Sequence, residues 1–68
     1  MSSFAERLKE LRVDNNLSRK DLAEKLNVST RLISYWECGK RECDFNTLIS
    51  IAKIFDVSID YLLGYKDY

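Results

Sequence analysis

The residues best suited to specific recognition lie between positions 30 and 35. Within the segment TRLISYWE, an advance of 100° per residue places Thr30, Arg31, Ser34 and Tyr35 on one side of a helix. The apolar residues of the segment fall on the opposite side. Hydroxyl and guanidinium groups on one exposed face can hydrogen-bond a polar ligand, which is the chemistry of recognition.

Nothing in the sequence indicates a catalytic or metal site. The chain has no histidine, no glycine-rich phosphate loop, and no cysteine or serine with a recognisable base nearby. Cys38 and Cys43 are too few for a four-ligand zinc site and are expected to be reduced thiols. Glu6 and Glu10 lie four residues apart on one helix face, and we interpret them as solvated surface charges and not as a catalytic pair. We predict a binding protein, not an enzyme, with no metal, cofactor or small-molecule substrate.

Charge is unevenly distributed along the 68 residues, although the formal net charge is zero. Residues 19–41 contain six bases and three acids, whereas residues 42–68 contain five acids and two bases. This polarity indicates a surface that faces an anionic partner. No apolar run approaches the length of a membrane span, and residues 1–9 do not resemble a secretory signal, so we expect a cytoplasmic protein with no membrane partner.

Capping residues predict five helices, because a chain with no proline and two glycines has few other boundaries. The starts follow Ser3, Ser18, Ser29, Asp44 and Ser58. Asparagine or glycine is expected to end the helices near 15–16, 27, 39 and 64, and residues 65–68 are expected to fray. The predicted fold is all-α, a compact five-helix bundle forming one domain over residues 1–68. Its helices are expected at about 3–14, 19–26, 30–38, 45–55 and 59–63.

The second and third helices, joined by a short turn, have the arrangement of a helix-turn-helix, although a generic helical bundle fits this spacing equally well. Four segments are more specific. From Phe4 to Gly64 the chain reads FAERLKELR, LSRKDLAEKLNVS, ISYWECGKREC and LISIAKIFDVSIDYLLG. In this order and spacing they resemble the phage repressor and Cro type (Xre-like) family, whose DNA-binding domains are lambda-repressor-like. The resemblance implies sequence-specific binding to double-stranded DNA by a small transcriptional regulator, with repression as the default.

The resemblance also implies that Thr30, Arg31 and Tyr35 read bases, with Ser34 close to the groove. Arg31 is the best candidate for a bidentate contact to guanine, and its alternatives are a phosphate contact or a solvated charge. Thr30 offers either a methyl group to thymine or a hydroxyl to phosphate. Tyr35 either touches bases or sugar or remains a surface aromatic.

Phosphate contacts are implied for Arg19, at the start of the second helix, and for Lys40 and Arg41 in the loop after the recognition helix. Arg12 and Glu37 match positions that pair in relatives, and Arg12 is also a candidate phosphate contact. The chain departs from the family pattern at three positions, where relatives commonly have asparagine, a base and proline. These are Cys38, Glu42 and Cys43, and the first two predict weaker DNA binding or a greater dependence on dimerisation.

The last helix carries more apolar and aromatic residues than it needs to cover its own core, which predicts a homodimer on a two-fold symmetric operator. The alternative is that most of them pack inward. The expected interface residues are Ile59, Tyr61, Leu62, Leu63 and Tyr65. A second function remains open, a protein-interaction module such as an antitoxin-like helix-turn-helix protein, which the zero net charge and Glu42 favour.

Overall fold

The computed structural model describes residues 3–68 and consists of five α-helices in this range, with no strand. They are α1 (Phe4–Asp14), α2 (Arg19–Leu26), α3 (Thr30–Glu37), α4 (Phe45–Phe55) and α5 (Ile59–Leu62). The all-helical prediction is confirmed, and each predicted helix boundary lies within one residue of the observed one. In the described range, no helix has both the length and the apolar character needed to cross a membrane.

Serine hydroxyls cap four of the five helix starts. The Ser18 hydroxyl accepts the Asp21 N–H at 3.0 Å, and the Asp21 carboxylate accepts the Ser18 N–H at 3.0 Å, which completes a capping box. Ser3 and Glu6 form the same reciprocal pair on α1. The start of α4 differs, because the Asp44 carboxylate accepts the Thr47 hydroxyl and caps no backbone N–H.

Every helix is followed by one residue in the left-handed region. After α3, Gly39 has a φ of 75°, its N–H donates to the Trp36 carbonyl, and the Lys40 N–H donates to the Tyr35 carbonyl. These two hydrogen bonds satisfy two of the carbonyls that a helix leaves unpaired at its C-terminal end. Asparagine or glycine holds the equivalent position after α1, α2 and α5, whereas Asp56, which the sequence analysis missed, holds it after α4.

The core draws one completely buried aliphatic side chain from each helix. Ala23, Trp36, Leu48 and Ala52 complete the buried cluster. Because α3 contributes two members of this core, it cannot rotate without exposing them, and its outward face is therefore fixed. The five completely buried side chains are Leu8, Leu22, Ile33, Ile51 and Leu62.

The C-terminal segment packs back on the bundle and does not fray as expected. The Asp67 carboxylate accepts a hydrogen bond from Arg7 Nη2 at 3.0 Å, and the Lys66 N–H donates to the Asp60 carbonyl at 3.2 Å. The Ser58 hydroxyl donates to the Tyr68 carbonyl at 2.9 Å. These bonds tie residues 66–68 to α1 and to the start of α5.

Candidate nucleic-acid interface

The four residues predicted to share a face of α3 lie together on the surface. Thr30 and Arg31 are exposed, and Ser34 and Tyr35 are half-buried along the same side. Ile33 and Trp36 lie behind them, 0% and 2% exposed. We call the set Thr30, Arg31, Ser34 and Tyr35 the recognition ridge.

Arg31 is the one cation of the recognition ridge, and its side chain is exposed. It is the second residue of α3, after the Ser29 cap, whose hydroxyl accepts the Leu32 N–H at 3.2 Å. Within residues 3–68 its guanidinium makes no hydrogen bond or ion pair. The first turn of a helix also carries positive potential from its free N–H groups. The end of α3 that carries Arg31 is therefore suited to an electron-rich partner.

The turn after α3 places two more cations beside the ridge. The Arg41 guanidinium carbon lies 5.5 Å from the centre of the Tyr35 ring, within the range of a cation–π interaction. Lys40, Arg41 and Tyr35 together line a shallow, open depression. The left-handed conformation of Gly39 makes this geometry possible, because the chain reverses there and brings residues 40 and 41 beside Tyr35.

Glu37, the last residue of α3, is held between two arginines. Its Oε2 accepts from Arg12 Nε at 2.6 Å, and its Oε1 accepts from Arg12 Nη2 at 3.1 Å and from Arg19 Nε at 3.2 Å. Arg12 Nη1 also donates to the Leu17 carbonyl at 2.9 Å. The Glu37 side chain is 1% exposed, so its charge is buried and neutralised. We call Arg12, Arg19 and Glu37 the clamp, because it joins α1, α2 and α3.

The clamp bears on the two roles predicted for Arg12, pairing with Glu37 and contact with a phosphate. Arg12 is buried, and all three of its guanidinium nitrogens donate within the protein. Burial therefore argues against the predicted phosphate contact and leaves Arg12 in its structural pairing. The Arg19 side chain is 44% exposed and uses only its Nε, so its two terminal nitrogens remain available at the start of α2. No sequence spacing indicated that Arg19 would also contact Glu37, 18 residues away.

The predicted dimer residues do not form one exposed set. Leu62 is completely buried in the core, so it is withdrawn from the interface. Tyr61 is half-buried beneath the Arg7 guanidinium, which lies 4.1 Å from the centre of its ring. Ile59, Leu63 and Tyr65 are 37%, 53% and 78% exposed.

Phe45, the first residue of α4, is 85% exposed and was not predicted as part of any interface. By helical spacing Phe45 lies at the edge of the apolar stripe of α4, three residues before Leu48 and seven before Ala52. The sequence signal that could have found it is its position directly after the cap, at the open end of the helix, where the core does not cover it.

The two cysteines form no disulfide. Both are free thiols, and burial raises the pKa of the Cys43 thiol, which keeps it protonated at neutral pH. Across residues 3–68, no three side chains of the metal-binding types come together in a cluster.

Comparison with known proteins gives the class that this geometry defines. A helix-turn-helix family model matches residues 8–62, so the chain belongs to the helix-turn-helix family. Within that family it is of the phage repressor and Cro type that the four sequence segments indicated.

Two curated relatives are similar to the chain over most of its length. The chain is 43% identical over 60 residues to the uncharacterized HTH-type transcriptional regulator YqaE of Bacillus subtilis, covering 88% of the chain and 52% of the relative. It is 47% identical over 61 residues to the HTH-type transcriptional activator BcrR of Enterococcus faecalis, covering 90% and 30%. The chain thus spans about half or less of the length of these relatives.

Among solved structures, the P22 c2 repressor in complex with a synthetic operator superposes with a TM-score of 0.89. It is 27% identical, and the match covers 97% of this chain and all of that one. The lambda-repressor-like architecture expected from the sequence is therefore confirmed.

Proposed function

We propose that this chain binds double-stranded DNA sequence-specifically as a transcriptional regulator, with α3 in the major groove. The observation that carries the proposal is the recognition ridge, polar and outward, with an unengaged Arg31 near one end and a core-locked helix behind it. An arginine in the groove can bond both major-groove acceptors of a guanine. The other ridge residues, Thr30, Ser34 and Tyr35, are assigned the neighbouring base contacts.

Phosphate groups are assigned to the cations that flank the ridge. Arg19 has two available terminal nitrogens at the start of α2, where helix N–H groups favour an anion. Lys40 and Arg41 stand on the other side, after the turn at Gly39. Contacts of this kind fix the position of the protein on the duplex, whereas the ridge supplies the sequence preference.

Zero net charge does not oppose this assignment, because the charge that matters is local. The acid nearest to the ridge, Glu37, is buried between two arginines and therefore adds little negative potential to the surface. Arg19, one of the two bases that hold it, is 44% exposed and adds positive charge to the surface. Residues 19–41 carry six bases and three acids, whereas residues 42–68 carry five acids and two bases. Local positive charge is what releases counterions from DNA.

We further infer that two copies bind a two-fold symmetric operator, since one such domain offers a small interface with DNA and pairing doubles the sequence that is read. A DNA-binding regulator acts where the chromosome is, in the cytoplasm. Similar proteins include both a named activator and a named repressor. We assign repression here, because occupying an operator requires no further surface.

Selection of duplexes from a random pool tests the proposal. Sequencing of the bound fraction is expected to give a two-fold symmetric consensus. Affinity for that consensus should fall steeply as salt rises, because phosphate contacts release counterions. A reporter gene with the consensus overlapping its promoter should lose expression when the protein is present.

The same experiment separates the antitoxin-like alternative, which the exposed Phe45 and the zero net charge favour. A protein-interaction module would enrich no sequence and would show no steep salt dependence towards DNA. Failure to enrich any duplex at low salt would overturn the regulator proposal.

A further inference from the structure

Among the large hydrophobic side chains of residues 3–68, Phe45 has the highest fractional exposure, 85%, and it lies at the edge of an apolar pocket. The pocket has a volume of about 150 Å³. A cavity of this size lined by aliphatic and aromatic residues holds one benzene molecule. Its lining residues are Phe4, Glu42, Cys43, Phe45, Leu48 and Leu63.

We propose that this pocket receives Phe45 of a second copy of the same chain, so that the homodimer is centred on Phe45 and not on the face of α5. The proposal rests on the homodimer of the proposed function and names the surface that forms it. One patch carries both a projecting ring and a ring-sized pocket. Self-complementarity of this kind is what a two-fold interface requires, because each surface must receive the group that it presents.

Two further apolar side chains on this side of the molecule are exposed, as an apolar interface with a second copy requires. Leu63, at 53% exposed, lines the pocket with Phe45, and Ile49, one turn along α4 from Phe45, is 41% exposed. A standard interface buries about 800 Å² per partner, roughly a sixth of the protomer surface of 4717 Å². A patch centred on one ring is smaller than that, so the free dimer is expected to be weak and to be completed on DNA.

The pocket adjoins the loop that carries the cations proposed to contact phosphate. Glu42 and Cys43 belong to the loop that follows the recognition helix, directly after Lys40 and Arg41. Half-sites one helical turn apart are about 34 Å from centre to centre, and the protomer measures 28 × 23 × 21 Å. Two protomers on such a site stand side by side, close enough for side chains to meet.

Two of the three positions at which the chain departs from its family pattern line this pocket. Cys43 stands where relatives commonly have proline, and its small thiol side chain leaves space beside Phe4 and Leu48. Glu42 is exposed, so its carboxylate remains at the solvent edge. This loop therefore supplies two of the six residues that line the pocket, and it connects the pocket to the cations proposed to hold DNA.

Sedimentation of the full chain from micromolar to millimolar concentration, without DNA, tests the proposal. The wild type is expected to show a monomer–dimer equilibrium. Phe45→Ser should weaken dimerisation about tenfold or more, because burial of an aromatic ring is lost while little of the monomer fold depends on it. Val13→Ser is the matched control. Val13 is 52% exposed on α1, nine residues from Phe4, and its loss should leave the equilibrium unchanged.

A second variant fills the pocket without touching the ring. Cys43→Phe should occupy the space from within its own protomer and weaken dimerisation to a similar extent, with thermal unfolding confirming that each variant is folded. Dimerisation unaffected by both variants would overturn the proposal. So would a wild type that stays monomeric at millimolar concentration while toluene shifts the methyl resonances of Leu48 and Leu63, which would assign the pocket to a small apolar ligand.

These results are distinguishable from failure of the proposed function. A protein that dimerises through Phe45 but enriches no duplex would refute DNA recognition and leave this interface standing. Conversely, if the chain recognises DNA and pairs as proposed, Phe45→Ser should bind a single half-site as the wild type does and lose only the cooperative gain on the full operator.

Discussion

Glu37 joins the C-terminal end of the helix that carries the recognition ridge to α1 and α2. A carboxylate that is 1% exposed would carry a large desolvation cost if it were unpaired, and Arg12 and Arg19 supply the pairing. The same contacts hold the end of α3 against α1 and α2. The recognition ridge is therefore oriented by charge at its C-terminal end and by Ile33 and Trp36 along its back.

Glu37→Gln is expected to cost about 3 to 5 kcal/mol in the free energy of unfolding, because it leaves the buried Arg12 guanidinium without its counter-charge. A domain of this length has a total stability of only about 3 to 10 kcal/mol, so the variant should be marginally folded. Urea denaturation gives the measurement, and Glu24→Gln, an exposed glutamate on α2, is the matched control.

Replacing the pair Arg12 and Glu37 by Met and Leu together should restore much of that loss, since no buried charge of the pair would then be stranded. Equal stability of Glu37→Gln and Glu24→Gln would show that the clamp is not a stabilising contact.

Asp21 gives the stability of the protein a defined dependence on pH. Hydrogen bonds from the Ser18 backbone and then its side chain lower the Asp21 pKa below the ordinary value of 3.8. A carboxyl group whose pKa is lower in the folded state stabilises the fold above its unfolded pKa, and this contribution is lost as pH falls through the folded value.

Asp21→Asn should therefore destabilise the protein at neutral pH, and the difference from the wild type should shrink as pH falls below about 4. Thermal unfolding of both proteins across acidic pH provides the measurement. A difference that stays constant down to the lowest pH would mean that the Asp21 charge does not support the cap of α2.

At the scale of the elements, single residues in the left-handed region end the helices and set the turns between them. Asn27 in the turn of the motif and Gly39 after α3 both have φ near or above 60°. Asparagine enters this region at lower cost than other residues with a side chain, which explains why a chain with two glycines can end five helices. The turn at Asn27 joins α2 to α3, and the turn at Gly39 leads the chain from α3 into the loop that carries Lys40 and Arg41.

Gly39→Ala is expected to cost about 1 to 2 kcal/mol, because alanine is strained in the left-handed region. Beyond the neighbouring residues, no atom lies within 4 Å of a Cβ added at Gly39, so a clash with the rest of the fold does not contribute. Gly39→Asn should recover part of the loss. Chemical denaturation compares the three proteins, and an alanine variant as stable as the wild type would contradict the assignment of strain to this turn.

At the scale of the whole molecule, patterns within single helices were predictable, whereas contacts between distant segments were not. Capping serines gave the helix starts, and periodicity separated the recognition ridge from Ile33 and Trp36. Periodicity could not show that Leu62 would be buried in the core of its own protomer, or that Tyr61 would lie under Arg7. The residues that contact them come from other parts of the chain. The Arg19–Glu37 bond and the Phe45 pocket were missed for the same reason.

The most direct test of the account compares Arg31→Ala with Arg19→Ala on the selected duplex and on random duplex. Arg31→Ala should lose about 1 to 3 kcal/mol of binding free energy on the selected duplex, with relaxed preference at one base pair and little loss on random DNA. Arg19→Ala should weaken both duplexes alike, and Lys53→Ala, an exposed base on α4, should change neither. Equal losses for Arg31→Ala on selected and random DNA would contradict sequence reading by the recognition ridge.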